Sequence, residues 1–133
     1  MDCLFCRIVK GELPSYTIYE DDLCKVILDK FPSTLGHALI IPKNHCTDIY
    51  DLDDRSAAHI LVVAKKIAHA MKASLQIQGL NLLQNNGAVA GQTVFHYHMH
   101  LIPRFEGDAI RVGWDTVAPT EEQFTELIEK LSI

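Results

Sequence analysis

The chain has 133 residues, of which 48% are hydrophobic and 22% are charged, and its formal net charge is −5. These values are typical of a single soluble domain that can bury a hydrophobic core, here over residues 1–133. The acidic balance argues against a nucleic-acid partner, and no apolar run reaches the roughly 20 residues that a membrane span requires. The first residues lack the basic and apolar regions of a signal peptide, so we expect a cytoplasmic protein with no membrane partner.

The first third of the chain predicts a short helix followed by three strands. Leu4, Phe5, Ile8 and Val9 have the spacing of one helical face, and Gly11 is expected to end this helix. The strands that follow are predicted at residues 17–19, 23–29 and 37–41.

The central part of the chain predicts one long helix. Apolar residues recur every three or four positions between Asp53 and Gln78, with Asp53 or Asp54 as the N-cap and Gly79 as the end. A final helix is expected to begin near Thr120. Two further strands are predicted at residues 80–84 and 94–102.

This order of elements predicts an α+β fold. Hairpins and alternating patterns favour a five-stranded antiparallel sheet with the long helix on one face. The other face then stays available for a ligand.

Three histidines within five residues dominate the fifth predicted strand. His96, His98 and His100 alternate with apolar residues, and alternate side chains of a strand point to the same face. Three imidazoles on one face indicate chemistry near neutral pH, because the unperturbed histidine pKa is about 6.5. A neutral imidazole can attack phosphorus and leave again. The preceding loop offers donors for phosphate oxygens, namely Asn85, Asn86, Gly87, Gly91, Gln92 and Thr93.

A Cys-x-x-Cys pair lies at the N-terminus. In a reducing compartment, Cys3 and Cys6 favour a metal site or a redox pair over a structural disulfide. The pair does not follow a predicted strand, so a thioredoxin-like motif is not indicated. A metal site is favoured and requires two further ligands. Cys24 is expected to pack as a small core residue.

The segment Gln-Thr-Val-Phe-His-Tyr-His-Met-His-Leu-Ile-Pro-Arg at 92–104 resembles the signature of the histidine-triad (HIT) family. The resemblance extends from Cys3 to Arg104 and includes Cys-Leu-Phe-Cys-Arg-Ile-Val-Lys-Gly, Gly-His-Ala-Leu-Ile-Ile-Pro-Lys-Asn-His and the Asn-Asn-Gly loop. It is closest to the bacterial branch that keeps the cysteine pair. The resemblance implies a HIT-like fold with a core at 3–104, a tail and helix at 105–133, and a homodimer.

The resemblance also implies a function. Members hydrolyse or transfer nucleotidyl groups by attack on the α-phosphate of a nucleotide, usually an adenylate. His98 would form the covalent nucleotidyl intermediate, assisted by His100 and His37, and Asp29 would bind the ribose. Asn85, Gly91, Gln92 and Thr93 would lie beside the phosphate. The base would lie among Phe5, Ile8, Leu13, Ile27 and Leu28, for which simple core packing is the alternative.

The same resemblance completes the metal site with His45 and His96. Cys3, Cys6, His45 and His96 would form a Cys₂His₂ set suited to tetrahedral Zn²⁺. A closed site of four protein ligands is structural and would attach the N-terminus to the histidine segment. The first histidine of the triad would therefore not be the nucleophile.

Several functions stay open at this point. A nucleoside phosphoramidase is favoured, with a dinucleoside polyphosphate hydrolase as the alternative. A nucleotide-binding or scaffold protein with incidental slow turnover is the non-enzymatic alternative, and a zinc-dependent hydrolase is less favoured. His100 argues against sugar-nucleotide transfer, because that branch of the family has glutamine at this position. Trp114, in the polar tail, is expected to reach the partner's site.

Overall fold

A computed structural model describes residues 2–133, and position 1 lies outside it. The helices are α1 (Leu4–Val9), α2 (Asp54–Leu75) and α3 (Glu121–Leu131), and Ala88–Ala90 form a 3₁₀ turn. The strands are β1 (Thr17–Glu20), β2 (Cys24–Leu28), β3 (Ala38–Pro42), β4 (Gly79–Leu83) and β5 (Met99–Arg104). No helix within residues 2–133 is both long and apolar enough to cross a bilayer.

The five strands form one antiparallel sheet in the order β1-β2-β3-β5-β4. The central pairs place Val26 opposite Ile40 in β2 and β3, and Ala38 opposite Leu101 in β3 and β5. The three helices and the antiparallel sheet confirm the predicted α+β fold. The middle strands β2, β3 and β5 bring segments that are distant in the sequence to the centre of the sheet.

Each face of the sheet carries its own hydrophobic core, because alternate side chains of β2 and β3 point to opposite faces. On one face, α2 buries Ile60, Val63 and Met71 against Val26 and Ile40. The opposite face holds a smaller cluster under α1, formed by Phe5, Ile8, Ile27, Leu39 and Ile41. Because α1 has six residues, it covers only part of that face and leaves room beside it.

The fifth strand begins at Met99, which corrects its predicted start at Val94. Pairing with β3 ends at Ile40 opposite Met99, and the next residues of β3 lead to Pro42, which has no N–H to donate. The segment before Met99 is instead held by the Tyr97 N–H, which donates to the Cys46 carbonyl at 2.7 Å. Tyr97 is still buried on the α2 side of the sheet, so the alternation of side chains is kept without a regular strand.

The long helix ends earlier than predicted. It is capped by Asp53, whose side chain accepts from the Ser56 N–H at 2.9 Å. Its last residue is Leu75, and Gln76 takes the left-handed conformation (φ 53°) that was expected from Gly79. Gly79 pairs with Arg104 in the sheet instead. Strand pairing therefore determined where this helix stops.

Candidate active site

A cavity of about 600 Å³ lies beside α1, on the face of the sheet opposite α2. This volume is within the range of about 300–1,000 Å³ typical of small-ligand sites. The lining includes all five residues predicted to hold a base, Phe5, Ile8, Leu13, Ile27 and Leu28. It also includes the polar residues Asp29, Thr93, His98 and His100. The cavity therefore combines apolar surface for a ring with hydrogen-bonding groups for a polar or anionic part of a ligand.

The ring of His98 is held with one nitrogen free. Its Nδ1 lies 2.8 Å from the His96 carbonyl oxygen, and a carbonyl only accepts, so Nδ1 carries the proton. The Nε2 atom of the neutral ring is therefore unprotonated. Phe5 packs edge-on against the imidazole with ring centroids 4.9 Å apart. This arrangement presents a nucleophilic nitrogen in a fixed orientation at the cavity wall.

A chain of hydrogen bonds fixes the proton positions of His37 and His100. The Ser33 N–H donates to Nδ1 of His37 at 3.0 Å, so the proton of the neutral His37 ring is on Nε2. That Nε2–H lies 2.9 Å from Nδ1 of His100 and 3.6 Å from the Asp29 carboxylate. His100 Nδ1 then accepts, and its own Nε2 carries a proton. His100 is thereby prepared as a neutral hydrogen-bond donor.

Burial keeps these imidazoles neutral. Desolvation lowers the pKa of His98 and the pKa of His37, although the nearby Asp29 carboxylate acts in the opposite direction on both. The pKa of His100 falls to about 4, first because of burial and then because His98 and His37 are close. A histidine that stays neutral at physiological pH can act as a nucleophile or a donor without first losing a proton.

Of the four loop residues predicted to bind the phosphate, one lines the cavity. Thr93 lines the cavity, whereas Asn85, Gly91 and Gln92 are not part of its lining. Asn85 makes a long contact of 3.5 Å with the Gly91 carbonyl. The phosphate contacts predicted for Asn85 and Gly91 stay predictions.

The Gln92 side chain is turned inward, and its predicted phosphate contact also stays a prediction. It is buried, its amide oxygen accepts from the Gly87 N–H at 2.8 Å, and its amide nitrogen donates to the carbonyls of Thr47 at 2.7 Å and Val94 at 3.2 Å. With these three bonds, its side chain holds the loop together and does not face the cavity. Its position between glycine and threonine in the sequence did not reveal this inward orientation.

A second cluster lies next to the cavity and brings together Cys3, Cys6, His45 and His96. His96 is fully buried, and its Nε2–H donates to the Pro42 carbonyl at 2.8 Å, so its Nδ1 is free to bind a metal. Nδ1 of His96 lies 3.5 Å from each sulfur and 3.2 Å from Nδ1 of His45. Burial lowers the pKa of His96 and raises that of the Cys6 thiol.

The spacing of these four ligand atoms suits a tetrahedral zinc ion. Zn–S bonds of about 2.3 Å and Zn–N bonds of about 2.0–2.1 Å separate tetrahedral ligands by about 3.3–3.8 Å. Four of the six separations between the ligand atoms are 3.2–3.5 Å, including 3.3 Å from the Cys6 sulfur to Nδ1 of His45. All four atoms lie within 4.8 Å of one another. The donor set and its geometry can therefore hold a metal with little rearrangement.

The sequence that contains these histidines matches a known protein family. A model of the HIT domain matches residues 10–107. The chain belongs to the HIT family. This membership confirms the resemblance seen in the histidine segment.

HIT relatives match nearly the whole chain. The adenosine 5'-monophosphoramidase of Schizosaccharomyces pombe is 40% identical over 133 residues, which cover 99% of this chain and 97% of that protein. The crystal structure of a HIT family protein from Bacillus anthracis has a TM-score of 0.93 at 42% identity and covers 98% of this chain and 95% of that chain. A Zn-bound histidine triad protein from Mycobacterium smegmatis has a TM-score of 0.79 at 40% identity and covers 98% of this chain and 92% of that chain.

Two features of this HIT site were missed from the sequence. The Ser33 N–H orients His37, and no side-chain pattern indicates a backbone donor. Tyr16, Lys30 and Phe31 also line the cavity, and Tyr16 and Phe31 are largely exposed. The position of Lys30 and Phe31 directly after Asp29 is the one feature of the sequence that could have suggested them.

Proposed function

We propose that this HIT protein is a nucleotidyl hydrolase that attacks the α-phosphate of a purine nucleotide conjugate, with an adenosine phosphoramidate favoured. The observation that carries the proposal is the orientation of His98. Its Nδ1–H is bound to the His96 carbonyl, so the unprotonated Nε2 is available on a ring that lines the cavity. The name of the S. pombe relative supports the choice of substrate class.

In the proposed complex, the ligand lies along the cavity. The base packs among the apolar residues of α1 and β2, Phe5, Ile8, Leu13, Ile27 and Leu28. The ribose hydroxyls bond the Asp29 carboxylate, and the phosphate lies near Thr93 and His100. The Asn85 side chain and the Gly91 backbone lie beside the phosphate in this proposal as well.

The proposed chemistry has two steps at phosphorus. Nε2 of His98 forms a bond to the α-phosphorus, and the bond to the leaving group breaks with its electron pair going to that group. The leaving group takes up a proton as it departs. Water then attacks phosphorus and gives up a proton in return, the bond from phosphorus to Nε2 breaks, and the nucleoside monophosphate and the neutral imidazole are released. The Nε2–H of His100 donates to an oxygen that gains charge in both steps. His37 acts through His100, because its Nε2–H keeps that ring in the required tautomer.

We further propose that Cys3, Cys6, His45 and His96 bind a structural Zn²⁺. The ion, when bound, would supply a crosslink and no open coordination position, because all four ligands are side chains. The ligand spacing described above and the Zn-bound M. smegmatis relative support this assignment. It would attach α1, and with it one wall of the cavity, to the segment that carries His98.

The other expectations from the sequence stay predictions. They comprise a homodimer, a cytoplasmic location, a single domain over residues 1–133, and partners that exclude nucleic acids and membranes. None of them is needed for the proposed chemistry.

The test compares two substrates on the same protein. Rates on adenosine phosphoramidate and on diadenosine tetraphosphate are measured together, and we expect the phosphoramidate to be favoured in kcat/KM. A preference for the dinucleotide would select the alternative hydrolase. Mass spectrometry during turnover should detect a nucleotidyl adduct on His98.

His98→Ala provides the matched variant for this test, with His69→Ala on α2 as its control. We expect His98→Ala to lose turnover and adduct while AMP still binds, and His69→Ala to behave like the wild type. AMP binding without turnover of either substrate by the wild type would instead favour a nucleotide-binding protein. Wild-type rates in His98→Ala would reject the nucleophile.

A further inference from the structure

Lys25 in β2 is a buried cation that the proposed chemistry does not use. It is 8% exposed, and among residues 2–133 it is the one buried lysine or arginine. Lysine is almost never buried unless it is paired, because moving an ammonium group out of water costs free energy. Its position in β2 therefore requires partners that compensate for this cost.

The ammonium group of Lys25 reaches the last turn of α1. Its Nζ donates to the Ile8 carbonyl at 3.2 Å, and Ile8 is the next-to-last residue of α1. The last carbonyls of a helix have no partner within the helix, and a cation beside them is favoured by the helix dipole. The same carbonyl accepts from the Gly11 N–H at 3.0 Å. Lys25 therefore adds a charged donor to the end of α1.

The sheet directs Lys25 towards α1. Residues 25 and 27 lie on the same face of β2, because alternate side chains of a strand point the same way. Ile27 belongs to the hydrophobic cluster under α1, and so does Ile41, which lies opposite Lys25 in β3. The aliphatic part of Lys25 shares this apolar face, and its charged end lies at the end of α1. This division is typical of lysines that border apolar surface.

A carboxylate on β1 compensates part of the charge. Glu20 lies opposite Lys25 in the sheet, and its Oε1 is 3.9 Å from the Lys25 Nζ. Its Oε2 is bound to the Lys43 Nζ at 2.8 Å, and this hydrogen bond lowers the pKa of Glu20. One carboxylate thus serves two cations. The Ile8 carbonyl is the closer acceptor for Lys25.

The two ends of α1 are held by different contacts. Near its N-terminal end, Phe5 packs against the His98 ring with centroids 4.9 Å apart. Near its C-terminal end, Ile8 and, after the turn at Gly11, Leu13 line the cavity. A helix of six residues is too short to be stable alone. The contact with Lys25 therefore helps to determine where Ile8 and Leu13 lie.

We propose that Lys25 is a positioning residue for the base of the nucleotide. It holds the C-terminal end of α1 so that Ile8 and Leu13 pack against the base. The inference rests on the proposed function, since it takes the apolar lining as the site of the base. Lys25 is not part of the cavity lining, and it acts through α1. It should therefore contribute to binding of the base and leave the attack by His98 unchanged.

Lys25→Met tests this contact, because methionine keeps a linear apolar side chain and removes the ammonium group. The matched control is Lys43→Met, which also takes one cation from Glu20 but leaves the bond to the Ile8 carbonyl in place. Each protein is titrated with AMP and with ribose 5-phosphate, which lacks the base. The values of kcat and KM are measured on adenosine phosphoramidate.

Amide hydrogen exchange reports on α1 without any ligand. The N–H groups of residues 10–12 bond to carbonyls of α1, and they should exchange faster in Lys25→Met than in the wild type. We expect the AMP dissociation constant of Lys25→Met to rise about tenfold, as for the loss of one hydrogen bond to a charged group. The KM should rise in parallel, while kcat and the binding of ribose 5-phosphate stay unchanged. Lys25→Arg, which keeps a cationic donor, should recover AMP binding, and Lys43→Met should match the wild type.

Unchanged AMP binding in Lys25→Met would overturn the proposal, whatever the exchange shows. Equal losses for AMP and ribose 5-phosphate would also overturn it, because they would indicate a general effect on the fold or the charge. A fall in kcat at constant KM would do the same. A wild type that binds no AMP would reject the proposed function, and the base site with it, before any variant is compared.

Discussion

Protonation of His100 should destabilise the folded protein, and the loss of stability can be calculated from the shift in the pKa of His100. Burial and the neighbouring His98 and His37 lower the pKa of His100 from 6.5 to about 4. The unfolded chain therefore binds more protons than the folded chain between these values, so stability rises with pH in this range. The contribution is complete above pH 6.5 and is lost as the pH falls towards 4. At 1.36 kcal/mol per pKa unit, the loss is about 3 kcal/mol.

Replacing His100 by Asn isolates this contribution. The Asn side chain can accept from the His37 Nε2–H as Nδ1 of His100 does, but it does not titrate. Urea unfolding of both proteins with a chelator present, from pH 7 to pH 4, should show a midpoint that falls further in the wild type, by about 1–3 M for an m-value of about 1–3 kcal/mol/M.

His69 provides the control for the replacement of His100. His69 lies exposed on α2, and His69→Asn should follow the wild-type pH dependence. Equal losses of stability in the wild type and in His100→Asn would show that His100 titrates normally in the folded state. The hydrogen-bond chain from Ser33 through His37 would then not hold it neutral.

Three further changes probe the loop, the metal cluster and the tail. Gln92→Ala should lower the free energy of unfolding by about 1–3 kcal/mol, because it removes three hydrogen bonds of a buried side chain and leaves partly buried backbone groups at Gly87 and Thr47 without that partner; an unchanged urea midpoint would contradict this. Removing zinc with a chelator should lower the melting temperature but leave the rate well below that temperature unchanged; a lost rate in a folded protein would indicate a catalytic metal. Trp114→Ala should lower kcat/KM without changing the unfolding midpoint, and identical kinetics would exclude a role at the partner's site.

Interactions between residues that are close in the sequence made much of the fold predictable. The spacing of apolar residues predicted α1, α2 and α3, and Asp53 and Thr120 cap their helices through their own side chains. These features depend on residues within one or two turns of each other. The alternation around the histidines predicted one imidazole face even though the regular strand begins only at Met99.

The ends of elements were less predictable, because distant pairing sets them. Gln76 is the C-cap of α2, and Gly79 instead lies in β4, where it pairs with Arg104, 25 positions away in the sequence. Gln92 was predicted to face a phosphate, but the carbonyl of Thr47 and the N–H of Gly87 hold it inside. In both cases a long-range hydrogen bond outweighed the local preference.

The sequence by itself determined which residue types could supply a nucleophile and a metal site. Three alternating histidines and a cysteine pair are an uncommon combination, and it indicated both. Only the tertiary structure decided the protonation of each ring. The carbonyls of His96 and Pro42, and the N–H of Ser33, each select one nitrogen of an imidazole. The Pro42 carbonyl reaches His96 across 54 positions in the sequence. The His96 carbonyl and the Ser33 N–H act on rings only two and four positions away, in irregular segments whose backbone path is set by the fold.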